Sequence, residues 1–425
     1  MKSFILSDDT IENKISFWLL VAFLVSLPFD HFYSEWLLII FCLHTLVHLS
    51  KKSLSRLHQN KIWIVTVPFF ADVAFLLLSD YQAKGIKDIS QQLAFVLFPV
   101  FLSLTKFDLN KYKFHLLEIF GFTCTLTVLY LFIHAFKVIF YFHLPLTSIV
   151  QSSFLNQNFS SPIELHATYL SMYVLLSICI FIYRVFSKTN GRNIYVICCL
   201  ILFAGLIQLS ARAPFVAAGI IFLLVIPFML LQRPKRIWFL GISLLVTLVF
   251  FTTIYHSGSL RKRYLTDLRN DLSDYRDPGD LTESRWRRWE LEWQLFIKSP
   301  VTGYGTGSEK FILGDEFYNN KFYRAFILRL NAHNQYLSFM LNEGLIGLFF
   351  FLAILIYAFS VAVKKKDFLL CCFLLILSIV CVSENVLDVS KGVMFYSFFF
   401  SFFLLTQKPF KMIDHKFLNG QPAAD

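Results

Sequence analysis

Four side chains have the type and placement for chemistry on a phosphate-linked substrate: Arg212, Arg285, Arg288 and His333. An arginine stays charged at any physiological pH, and its planar fork matches two phosphate oxygens at once. A neutral imidazole, with an unperturbed pKa of about 6.5, can take a proton from a hydroxyl at neutral pH. Arg212 sits in Ile207-Gln-Leu-Ser-Ala-Arg212-Ala-Pro214, at the edge of an apolar run. There it either forks onto phosphate oxygens or snorkels to mark the membrane interface. Arg285 and Arg288 are three apart and share one helical face, which suits a diphosphate. The plainer reading of that pair is a solvated basic face balanced by Glu290 and Glu292. His333 lies in Asn331-Ala-His333-Asn334-Gln-Tyr336, where polar sequence gives way to apolar. It is a general-base candidate, with helix capping or an interfacial position as the alternative.

Other groups carry weaker signals. Asp72, Glu118 and Lys137 fall within or near apolar runs, where ionisable side chains are costly and seldom idle. Each suits a cavity, and each equally suits a pair that ties two helices together. Gly303-Tyr-Gly305-Thr-Gly307 resembles a phosphate-cradling loop on the surface, but it lacks the preceding strand and the Lys-Ser/Thr. Its glycines read instead as a tight turn with positive φ. No HExxH, Asp-x-Asp or CxxC pattern occurs, so the sequence offers no metal site. All eight cysteines lie in apolar stretches, which argues against a disulfide framework.

The elements that must position these groups are membrane helices. The chain is 56% hydrophobic and 16% charged, with a mean hydropathy of +0.61. Soluble proteins carry about 45–50% apolar and about 25% charged residues, so a soluble enzyme is excluded. With 51 Phe against 16 Gly and 12 Pro, disorder is excluded as well. Apolar runs lie near 15–29, 34–49, 62–79, 91–105, 114–141, 165–183, 193–209, 214–231, 237–255, 335–361, 368–383 and 393–406. The expectation is an all-α polytopic membrane protein of about twelve transmembrane helices, a span taking about 20 apolar residues; the first two runs and the last are short for that, and merging, tilting or re-entry are the alternatives for them. It divides into helices over 1–255, one large loop over 256–334, and helices with a tail over 335–425.

The charges set the orientation. With the N-terminus inside, the inner segments hold 21 Lys and Arg and the short outer ones hold 4. The positive-inside rule then places both termini in the cytoplasm and the large loop outside. The net charge of +11 is accounted for by this topology, and no nucleic-acid partner is implied. The loop holds nine Arg and four Lys against eleven acidic residues, so it is charge-dense and nearly balanced. Its aromatic content marks it as folded and as the working part of the protein. Within it, Asp280 and Glu283 read as a capping pair for a helix that Ser299-Pro300 ends. Trp286, Trp289, Trp293 and Phe296 fall on one stripe of that helix, which predicts an amphipathic helix lying on the membrane interface. Glu343-Gly344-Leu-Ile-Gly347 supplies small residues for close helix packing.

In order along the chain these pieces resemble the O-antigen ligase family. The resemblance rests on Ser210-Ala-Arg212-Ala at a helix end, then Arg285 in the loop helix with Phe296-Ile-Lys-Ser-Pro300 at its close. The glycine turn follows, then His333-Asn334 with Glu343-Gly-Leu-Ile-Gly347, and Ser383-Glu384-Asn385 before the last span. Residues 205–350 carry the specific part. The resemblance implies an inverting, metal-independent membrane glycosyltransferase of the C-type fold with one large periplasmic loop and no cofactor. It implies a glycan donor on undecaprenyl diphosphate and a lipid A–core acceptor, handled on the periplasmic side of a bacterial inner membrane. Arg212 and Arg285 would clamp the diphosphate, with Arg288 as a further phosphate contact, and His333 would orient or deprotonate the acceptor hydroxyl. Fixed charge and alignment suffice for so good a leaving group. A polymerase of the same superfamily is the alternative, and a single large loop favours the ligase. A lipid-linked oligosaccharide transporter is disfavoured by the lack of internal repeats.

Overall fold

The computed structural model describes residues 9–59, 62–187, 191–273 and 284–406, and among them every regular element is helical. Each apolar run of the sequence forms a helix. Seven helices are long and apolar enough to cross a membrane, the longest being Leu109–Tyr141 and Gln335–Lys364. His31–Val47, Trp63–Leu76, Phe368–Val380 and Ser390–Leu405 are shorter apolar helices. The protein is thus a multi-pass membrane protein. One connection differs from expectation: the 80–90 segment is itself helical and runs on as Gln82–Leu104, with Lys84 and Asp88 paired along it.

Phenylalanine builds the centre. Ser390–Leu405 is Phe-rich and is buried around its whole circumference from Ser390 to Phe403. Its Phe398 meets Phe23 and Phe98, its Phe399 meets Phe120, and Phe373 touches Phe395, Phe399, Phe400 and Phe403. Such edge and tilted ring contacts fill space between helices without polar atoms. Glu118 resolves to the structural alternative. It accepts from Arg184 Nε at 2.5 Å and from the Tyr195 hydroxyl at 2.9 Å, tying three helices. Lys137 is exposed on its helix.

The large segment after His256 is mostly helical where described. Arg285–Lys298, Glu309–Asn319 and Tyr323–Ile327 close over a small core of Leu291, Leu295, Leu313, Phe317, Phe322 and Ala325. Leu341, from the Gln335–Lys364 helix, completes that core. The segment therefore sits on the start of this helix. Ser284 caps Arg285–Lys298 by accepting the Arg287 N–H at 3.3 Å; the expected Asp280–Glu283 capping pair lies outside the described residues. The aromatic stripe divides. Trp286 and Trp293 are each 49% exposed, while Phe296 turns inward with Leu291 and Leu295. Trp289 reaches in to donate its indole N–H to the Ala332 carbonyl at 2.9 Å. At 3.6 residues per turn, steps of three, four and three spread these side chains over an arc of about 80°, and the edge of the buried face falls within it, leaving Trp286 and Trp293 outside and Trp289 and Phe296 inside.

The glycine turn is structural. Gln335–Lys364 breaks at Gly344, whose φ is 65°, and a break strands backbone groups. Tyr304 N–H donates to Leu341 O at 2.9 Å, Gly305 N–H to Asn342 O at 2.7 Å, and Leu345 N–H to Pro300 O at 2.8 Å. The Pro300–Gly305 turn thus satisfies the helix it interrupts. Gly344 packs on loop backbone, where an added Cβ would lie 2.2 Å from Val301 O. Thr306 next to the turn donates to the Asp72 carbonyl at 2.7 Å, so Asp72 stands at this junction.

Candidate active site

Arg212 is placed by a helix end. Arg192–Leu209 closes at Ser210, which takes a left-handed φ of 46° and bonds Ile207 O at 3.1 Å. The chain reverses, and Arg212 opens the next helix. Its Nη1 lies 2.8 Å from Asp271 Oδ2. Arg263 comes in beside it, Nε 3.4 Å from the Ser210 carbonyl; burial, and then the charge of Arg212, pull its pKa down.

Arg285 opens the Ser284-capped helix, and the cap aims it across the site. Nη1 donates to Ser383 O at 2.7 Å, Nη2 is 3.8 Å from Glu384 Oε1, and Nε is 3.9 Å from Asp271 Oδ2. Arg212 and Arg285, 73 positions apart, therefore share one carboxylate oxygen. The third member is His333, whose Nδ1 is 3.0 Å from Glu384 Oε2. An ionised carboxylate can only accept, so Nδ1 carries the proton and Nε2 is left as the basic nitrogen. Burial alone raises the Glu384 carboxyl. The His333 hydrogen bond and the charges of His333, Arg285 and His166 outweigh it, leaving the group below its usual range.

The His333 turn is held on every side. His333 has a φ of 53°, rare for a residue with a Cβ. The N–H groups of Ala332, His333 and Asn334 are taken by Glu309 Oε1 at 3.2 Å, Asn331 Oδ1 at 3.3 Å and Asn385 Oδ1 at 2.8 Å. The carbonyls of Asn331 and Ala332 are taken by Arg288 Nη1 at 3.0 Å and Trp289 Nε1. Asn334 also caps the helix that follows, accepting from Tyr336 and Leu337.

Three of the four residues picked out by the sequence thus meet: Arg212, Arg285 and His333. Arg288 is not brought to that group. It is 6% exposed and turned under the loop, where it supports the His333 turn. The sequence did not single out Asp271, Arg263 or Glu309, and it held Glu384 only within a three-residue motif. Among the described residues no group of three His, Cys, Asp or Glu side chains is arranged for a metal ion.

Fold and site define a multi-helix membrane protein with two guanidinium groups converging on one anion position, beside a carboxylate-oriented imidazole. Residues 197–352 match the family model described as O-antigen ligase. The matched stretch includes Arg212, Arg285 and His333. No curated protein matches the chain.

Proposed function

We propose that this protein is an O-antigen ligase, moving a glycan from undecaprenyl diphosphate to a sugar hydroxyl of lipid A–core on the periplasmic face of a bacterial inner membrane. The observation that carries the reading is the convergence of Arg212 and Arg285 on Asp271 Oδ2, one residue pair away from the His333–Glu384 contact. In the reaction the diphosphate takes the anion position between the two guanidiniums. His333 Nε2 accepts the proton of the acceptor hydroxyl while that oxygen attacks the anomeric carbon. The bond from that carbon to the diphosphate oxygen breaks, and the departing charge is held by Arg212 and Arg285. A direct displacement of this kind inverts the anomeric centre. The large loop and the site fall outside the cell membrane's inner face by the 21-to-4 bias of basic residues, with both termini in the cytoplasm.

The test is the lipopolysaccharide ladder from cells lacking the gene, complemented by wild type or by His333→Ala. Loss of all capped bands, with polymerised glycan accumulating on the lipid carrier, supports the ligase. Core capped by a single repeat unit identifies a polymerase instead, and an unchanged ladder excludes both.

A further inference from the structure

Glu309 touches every segment that carries the His333–Glu384 pair. It opens the Glu309–Asn319 helix and is 5% exposed. Its Oε1 accepts the Ala332 N–H, one residue before His333. Its Oε2 accepts the Ser338 hydroxyl at 2.7 Å, from the helix that follows His333. Both oxygens are within reach of Asn385 Nδ2, at 3.4 and 3.3 Å, one residue after Glu384. Asn385 passes the contact on, accepting the Asn334 N–H through Oδ1 and donating to Asp388 Oδ2 at 2.8 Å. One buried carboxylate thereby fixes the residue before His333, and through Asn385 the residue after it. A left-handed histidine persists only where its surroundings over-determine it.

We propose that Glu309 is a positioning residue for His333: its carboxylate locks the Ala332 amide and the Asn385 carboxamide together, and so sets the imidazole against Glu384. The step from imidazole placement to glycan transfer rests on the function proposed above; the placement itself does not. The ionised form, which predominates above about pH 7 where the assays are run, offers an acceptor at both oxygens to an N–H, an O–H and an NH2. A glutamine of the same shape keeps one acceptor for Ala332. Its own NH2 then faces the Asn385 NH2, donor against donor, and the link breaks without a cavity.

The experiment uses the full-length protein in lipid nanodiscs, wild type and Glu309→Gln, with a single cooperative thermal transition and a monodisperse elution profile as the check on folding. Diethyl pyrocarbonate modifies unprotonated imidazoles, and its rate at His333 is read by peptide mass, with exposed His31 as the internal reference. The expected result is a rate at His333 about fivefold higher in Glu309→Gln, the population factor of one lost hydrogen bond, with His31 unchanged. In the transfer assay kcat falls about 30-fold while donor KM stays within about twofold, as for a misplaced catalytic group. An unchanged His333 rate in a folded variant overturns the proposal, as does a wild-type kcat. If wild type transfers no glycan, the functional reading fails, while a faster His333 still supports the clamp. Should Glu309→Gln not fold, Ser338→Ala removes the hydroxyl that Glu309 shares with Asp388 and Asn342 while leaving the Glu309 carboxyl in place. It should speed His333 by about twofold, and no change there overturns the proposal.

Discussion

Asp271 Oδ2 lies 2.8 Å from Arg212 Nη1 and 3.9 Å from Arg285 Nε, occupying the place between two guanidiniums that the proposed reaction gives to a diphosphate. The carboxylate keeps both forks turned to one point, and it must yield that point to the substrate. Both salt bridges are partly exposed, and pairs of that kind contribute about 0.2–1 kcal/mol. Asp271→Asn should therefore lower donor KM by up to about fivefold with little change in kcat. A raised KM in steady-state transfer assays would show that Asp271 organises the arginines more than it competes for them.

Charge alone is not enough at Arg212 and Arg285. Arg285 uses Nη1, Nη2 and Nε toward three different oxygens, a geometry no ammonium reproduces. Either arginine changed to Ala should reduce kcat/KM by about 10²- to 10³-fold, the usual cost of one donor to a developing anion. Arg285→Lys should recover less than half of that loss on a logarithmic scale. Transfer by Arg212→Ala at the wild-type rate would remove the diphosphate clamp from the account.

In the proposed reaction Glu384 acts through His333, holding the Nδ1 proton so that Nε2 is the base. Glu384→Gln keeps the shape but can present either an acceptor or a donor to Nδ1, so the tautomer is no longer fixed. Related dyads lose about 10⁴-fold in kcat on such a change. A loss of about 10²-fold or more, with donor binding retained in a direct binding measurement, is the expected outcome. Because the Glu384 carboxyl sits below its usual range, it is ionised at neutral pH, and it contributes stability that is lost as pH falls through that lowered pKa.

The apolar runs were legible because composition alone demands them, and each became a helix. Arg212, Arg285 and His333 were legible by type, Arg212 and His333 where polar sequence meets apolar and Arg285 as one of a spaced pair in the loop helix. Their meeting was not, since it depends on the left-handed Ser210, the Ser284 cap and the wrapped turn at Asn331–Asn334. In a loop with nine Arg, four Lys and eleven acids, spacing does not tell which carboxylate is buried. Glu309 and Asp271 therefore looked like ordinary loop charges. Arg288 shared a face with Arg285 on paper, yet one turn of helix carries it under the loop to Asn331. Gly344 read as a small packing residue, because a helix break repaired by a distant turn leaves no local pattern.

Acid should stabilise the loop. Burial, and then the Asp388 carboxylate, push Glu309 up to about 7, and burial with the neighbouring Glu309 and Asp388 charges pushes Glu292 well above the usual range. Both groups hold protons more tightly folded than unfolded. Stability is then fully present below the unfolded value of 4.5 and falls as pH rises through about 7. Thermal midpoints across that window should decline for wild type and decline less for Glu309→Gln. A midpoint that rises with pH would contradict the burial of these carboxyls.

Gly344→Ala should be among the most damaging single methyl additions in the chain. The residue needs φ of 65°, and the new Cβ would fall 2.2 Å from Val301 O. Overpacking against backbone costs about 1–3 kcal/mol or more, with the left-handed strain added. The expected readout is a lower thermal midpoint or loss of protein from the membrane. A wild-type midpoint would mean that the Pro300–Gly305 turn can retreat.

The most direct measurement is a reconstituted reaction of purified protein with an undecaprenyl-diphosphate-linked glycan and lipid A–core, followed by gel and mass spectrometry. Wild type should form the glycan–core product with release of undecaprenyl diphosphate. His333→Ala should bind the donor normally and lose about 10²-fold or more of the transfer rate, as removal of a general base requires. Transfer by His333→Ala at the wild-type rate, or a wild type that elongates the glycan on its carrier and never caps the core, would contradict the account.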